Sequence, residues 1–218
     1  MKKINSIIVS SENEKIITNL SKNIKEKIIL LNKNIFNLEK IMKNNNKIII
    51  YPINLEEKNY EKEKSIFLEI TTKHLNEIKK IIIDTKEPKY AKTFQNINNE
   101  EFINTLKNDI EHVVNLLKMF FNQKNNVKII ILIHKEKTEK NDFLTIKSCI
   151  NKFLIELMNN INKNNINVNC VSTENIKLNY KKNIYPFKKN TNLKKISDLT
   201  KVFKFIFKKN IKNKIIIA

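Results

Sequence analysis

The sequence predicts a three-layer α/β fold, a doubly wound parallel sheet of about seven strands with helices on both faces. Three observations predict it. Short β-branched runs recur along the 218 residues, each apolar enough to be buried on both sides, as central parallel strands are. Between them lie stretches with apolar residues at helical spacing. No linker is long enough to divide the alternation, so residues 1–218 are expected to form one domain.

The elements follow in order. A strand is expected over 4–10, then the helical stripe Ile16, Ile17, Leu20 and Ile24. A strand over 27–31 precedes a stripe of Leu38, Ile41 and Met42. A third strand, 47–53, leads to the less regular stripe Ile66, Leu68, Ile70 and Leu75. The fourth strand, 80–83, precedes a long helix marked by Phe102, Leu106, Ile110, Val113, Val114 and Leu117. The fifth, 127–133, leads to a helix marked by Phe143, Ile146, Ile150, Phe153, Leu154, Leu157 and Met158. The sixth, 166–171, is followed by Leu199, Val202, Phe203 and Ile206, and a last strand covers 214–217. Residues 86–99 and 180–195 read as the longest irregular pieces. Alternation of this kind gives a Rossmann-like sheet.

Glycine, arginine and tryptophan are absent, and alanine occurs only at Ala91 and Ala218. Residues with AT-rich codons fill the chain, which points to a strongly AT-biased genome such as that of a reduced bacterial symbiont. Asparagine closes the turns, because it tolerates left-handed backbone better than most residues. The net charge of +20 would ordinarily suggest a polyanionic partner. Here lysine is spread along the whole chain, with no dense basic tail and no aromatic stacking platform. A solvated lysine surface is the expectation, without specific nucleic-acid or membrane binding.

Cys149 and Cys170 have no metal-ligand spacing, and His74, His112 and His134 are scattered, so no metal site is expected. Reduced thiols, no stretch that approaches a membrane span, and an apolar run too short for a signal after Lys2-Lys3 point to the cytoplasm.

In an open α/β sheet, ligands bind beyond the carboxyl ends of the strands. Those ends carry Ser10–Lys15, Asn32–Asn34, Asn54–Leu55, Asp84–Glu87, His134–Glu136 and Ser172–Asn175. Asp142–Leu178 resembles the active-site helix and following strand of the short-chain dehydrogenase/reductase family, with Ile166-Asn167-Val168-Asn169 in place of "I-R-V-N". Residues 98–121 look like the family's fourth helix, with Phe102 in its aromatic place. The stretch 185–218 looks like the tail of the YciK-type oxidoreductases of enteric bacteria.

The resemblance implies NADP or NAD as cofactor and dimers through the fourth and fifth helices. It also shows what is missing. The family's Tyr-x-x-x-Lys falls on Phe143-Leu144-Thr145-Ile146-Lys147, so Lys147 remains for the ribose and Phe143 has no proton to exchange. That loss alone costs about 10²–10⁴-fold in rate. The catalytic Ser falls near His134, a residue able to titrate near neutral pH or simply a strand-end side chain. The helix-four Asn falls on Asp109.

The glycine loop T-G-x-x-x-G-x-G falls on Ser10 through Ile17, with Ser11, Lys15 and Ile17 at the glycine positions. Lys33 resembles a residue selecting a 2′-phosphate, and Asn54 falls on the adenine-contacting acid. Asp84 and Thr85 take the place of "N-A", and Thr173 that of the proline in "P-G". The expectation is an oxidoreductase by descent with weakened or absent catalysis, holding NADP or NAD or no cofactor at all. The alternatives are a non-enzymatic protein that keeps the fold for association and, more distantly, a basic nucleic-acid binder.

Overall fold

The computed structural model describes residues 6–11, 13–32, 48–52, 62, 65–66, 69, 72–73, 78–85, 98–106, 110–121, 126–134, 146–161, 165–172, 184–186, 196–209, 211–212 and 214–217. The strands are β1 (Ser6–Ser10), β2 (Lys27–Asn32), β3 (Ile48–Pro52), β4 (Ile78–Asp84), β5 (Val127–Ile133), β6 (Ile166–Ser172), β7 (Ile184–Pro186) and β8 (Ile215–Ile217). The helices are α1 (Glu14–Asn23), α2 (Asn99–Leu106), α3 (His112–Phe121), α4 (Ile146–Asn160) and α5 (Ile196–Lys208).

All strand pairs are parallel, in one sheet of order β3-β2-β1-β4-β5-β6-β8-β7. The doubly wound fold is therefore present. The sheet carries an eighth strand, β7, within a piece expected to be irregular. β7 has three residues and ends in Pro186 at the sheet's edge. Proline lacks an amide donor, and an edge strand is where that lack is tolerated. The long fourth helix is seen as α2 and α3, with Ile110 and Glu111 in a wider π turn just before α3.

Strand side chains alternate between two cores, one on each face of the sheet. Ile8, Ile29, Leu31, Ile81, Ile83 and Ile129 pack with Val113, Leu116 and Phe120 of α3 and Leu154 and Met158 of α4. Ile7, Val9, Ile28, Leu30, Ile82 and Ile130 pack with Ile16, Ile17 and Leu20 of α1 and Val202, Phe203 and Ile206 of α5. Full burial of one such side chain contributes about 1.5–3 kcal/mol. Phe153 departs from its expected place in the apolar stripe of α4 and is 45% exposed.

α1 shows how local sequence sets an element's start and stop. Asn13 caps it through a side chain that accepts from the amides of Lys15 and Ile16. Glu14 in the first turn and Lys22 in the last suit the helix dipole. The helix stops at Ile24, whose backbone is extended. On the neighbouring helix, the Thr200 hydroxyl donates to the Asn19 side chain, tying α5 to α1. Lys128 donates to the carbonyls of Phe207 and Lys209 at 3.0 and 3.1 Å, closing the carboxyl end of α5. Asn169, fully buried in β6, donates to Ile211 O and accepts from Lys214 N, fixing the turn into β8.

Candidate functional site

Parallel strands put every carboxyl end along one edge of the sheet. The switch point lies between β1 and β4, since the chain winds outward from β1 through β2 and β3 and resumes on the other side at β4. Ser10 pairs with Ile83, and Asp84 pairs with Leu132. Register alone therefore brings Ser11, Asp84 and the residues after Leu132 together.

A polar network fills this point. The Ser11 hydroxyl donates to Asp84 Oδ2 at 2.6 Å, and His134 Nε2 lies 2.6 Å from Asp84 Oδ1. Ser11, His134 and Asp84 are 4%, 5% and 9% exposed. Asn32 at the end of β2 donates to Ser11 O, and Asn151 on α4 donates to His134 O. Thr85 is fully buried, and its hydroxyl and amide both donate to Leu132 O. The Asn151 Oδ1 atom is the one buried side-chain polar atom without a partner among the described residues.

This bonding defines what the groups can do. A carboxylate oxygen facing a ring nitrogen accepts its N–H, so the imidazole donates through Nε2 to Asp84 Oδ1. The serine hydroxyl is bonded to the carboxylate and not to the imidazole. Ser11, Asp84 and His134 thus do not form the relay of a serine hydrolase, in which the imidazole takes the nucleophile's proton. Among the described residues no cluster of His, Cys, Asp and Glu could hold a metal ion.

The start of α1 is equally self-contained. The Ser11 hydroxyl accepts from Asn13 N at 3.0 Å, and Asn13 Oδ1 accepts from Lys15 N at 3.1 Å and Ile16 N at 3.4 Å. The side chains of Glu14 and Lys15 point to solvent, and Ile17 is buried in the core. Ser10 is half-buried within the sheet.

Solved structures with this architecture are numerous. A short-chain glucose/ribitol dehydrogenase from Brucella melitensis aligns with a TM-score of 0.75 at 12% identity, over 99% of this chain and 95% of that one. A 3-ketoacyl-(acyl-carrier-protein) reductase from the same organism, in complex with NADH, aligns with a TM-score of 0.74 at 8% identity, over 98% and 96%. YwfH, an NADPH-dependent reductase involved in bacilysin biosynthesis, aligns with a TM-score of 0.71 at 16% identity, over 98% of each chain. This chain has the fold of the short-chain dehydrogenases/reductases. No protein-family model matches the sequence, and no curated protein matches it.

In a short-chain dehydrogenase/reductase fold, the first strand, its loop and the first helix are expected to cradle a pyrophosphate on exposed amides. The residues present here do not fit that group. Asn13, Lys15 and Ile16 already give their amide protons to Ser11 and Asn13, and Ser11 places a side chain where the cradle needs none. Of the sequence-nominated residues, the structure brings together Ser11, Asp84, Thr85 and His134. Lys147 lies in the first turn of α4. Phe143, Asp109, Lys33, Asn54 and Thr173 lie outside the described residues. Sequence reasoning missed Asn151 as a bridge from α4 to the site. In a chain crowded with asparagine, no signal marks that one.

Proposed function

We propose that this chain is a short-chain dehydrogenase/reductase by descent, of the NADP(H) type, in which hydride transfer to or from a carbonyl or alcohol is lost or badly weakened. The observation that carries the reading is the self-capped start of α1. Ser11 and Asn13 hold the amides that a pyrophosphate would need, and the Ser11–Asp84–His134 network closes the switch point beneath them. Phe143 in the place of the family's proton donor supports it independently. The free thiols Cys149 and Cys170, with no described helix able to cross a membrane, support a cytoplasmic protein.

Calorimetric titration with NADPH and NADH tests the proposal. The expected result is no saturable heat at micromolar protein. Saturable micromolar binding would overturn it, and Phe143→Tyr should then raise reductase activity.

A second reading, a fold kept for association, is favoured by one feature. Ile103 on α2 and Phe153 on α4 are 49% and 45% exposed, and these helices touch. Sedimentation velocity should show a dimer that Ile103→Lys/Phe153→Lys converts to monomer. A monomer at all concentrations in the unsubstituted chain rejects this reading.

A further inference from the structure

Among the described side chains, the two helical layers differ in charge. On α1 and α5, the exposed side chains include Lys15, Lys22, Lys201, Lys204 and Lys208, against Glu14 as the exposed acid among the described residues. Lys25 and Lys209 are exposed just past the ends of the same helices. On the opposite layer, exposed Lys118 and Lys152 are offset by exposed Glu100 and Glu156. Enrichment of lysine across a whole composition has no means of sorting residues by the face of the sheet they cover.

The lysines also share a side of their helices. Positions 201, 204 and 208 follow helical spacing opposite the buried stripe of Leu199, Val202, Phe203 and Ile206. They span about 10 Å of helix. Lys15 and Lys22 stand two turns apart on α1, which packs beside α5. The face is a broad cationic surface two helices wide.

We propose that the α1–α5 face binds the phosphate backbone of double-stranded nucleic acid, without reading its sequence. The charge of the face is complementary to that backbone. An anionic membrane fits less well. Helices that lie on membranes bury large apolar side chains in the interface. The exposed large hydrophobics among the described residues are Ile66, Ile103 and Phe153, none of them on α1 or α5. Backbone contacts position a protein and carry no sequence information, so two unrelated duplexes should bind alike.

The test is fluorescence anisotropy with labelled duplex DNA of two unrelated sequences, from 50 to 200 mM NaCl. Contact with about four phosphates gives a loss of about 150-fold in affinity across that range. Lys204→Glu/Lys208→Glu should weaken binding by at least about tenfold and flatten the salt dependence. Lys118→Glu/Lys152→Glu changes the net charge by the same amount on the opposite layer and should weaken binding by less than about threefold. If the first pair lowers the melting temperature, Lys204→Gln/Lys208→Gln carries the same comparison. Equal weakening by both pairs, a strong preference between the duplexes, salt-insensitive binding, or tighter binding to phosphatidylserine vesicles than to DNA would each overturn the proposal.

Discussion

Asp84→Ala removes the acceptor shared by Ser11 and His134. In the native chain its two carboxylate oxygens each take a 2.6 Å contact, and all three side chains are buried. The substitution leaves a hydroxyl and an imidazole facing a small void. Each buried group left unsatisfied costs about 1–3 kcal/mol. For the two groups together the loss is about 4 kcal/mol, equivalent to a fall in Tm of about 8–16 °C for a chain of this size.

Circular dichroism melts, with urea unfolding as a second measure, read the loss directly. His134→Ala and the double variant complete a cycle. A coupling of at least about 1 kcal/mol between the sites is expected for residues in one network. A loss below about 1 kcal/mol for Asp84→Ala, or strict additivity in the cycle, would refute the view that these side chains form a closed structural network.

Other outcomes follow from single contacts. Asn169→Ala should cost about 2–3 kcal/mol by freeing the turn held at Ile211 and Lys214, and urea unfolding measures it. Burial pushes the Cys170 thiol up to about 12 from an ordinary 9.0. Its protonated form therefore supports the fold at neutral pH, and that support fades as pH rises from about 9 through about 12. At pH 8 a thiol reagent should modify Cys149 and spare Cys170 until denaturant is added; rapid native modification of Cys170 would contradict its burial.

Glu26 is partly desolvated, which raises its pKa, but the Lys80 ammonium at 2.5 Å together with hydrogen bonds from the backbone at Glu26 and Lys25 offsets this, and the net shift is downward. Its contribution is therefore present above the ordinary carboxylate range and lost as pH falls through the folded value. Glu26→Gln should lower stability by less than about 1 kcal/mol at pH 7 and converge with the native chain in acid.

The central strands were legible because burial on both faces leaves an unbroken β-branched run, as in Ile28 through Leu31. β7 was not, because three residues ending in proline make no pattern. Phe153 shows a second limit. Helical spacing identifies an apolar face without saying what covers it. At the site, Ser11, Asp84 and His134 were each marked by their positions at strand ends. Their bonding was not, because Ser11 and Asp84 lie 73 residues apart and Asp84 and His134 lie 50 apart. Only the register of β1, β4 and β5 joins them.

The sheet order also sets a sequence of assembly. β7 touches β8 and no other described strand, while β8 pairs with β6. A strand formed by residues 184–186 thus has no place to dock until residues 215–217 have settled against Cys170–Ser172. This margin of the sheet closes in the reverse of chain order and hangs from three residue pairs on each side of β8. Hydrogen exchange should find β7 opening before β8, and β8 before β6. Early in folding the edge of β6 is bare, a strand margin ready to pair with another chain.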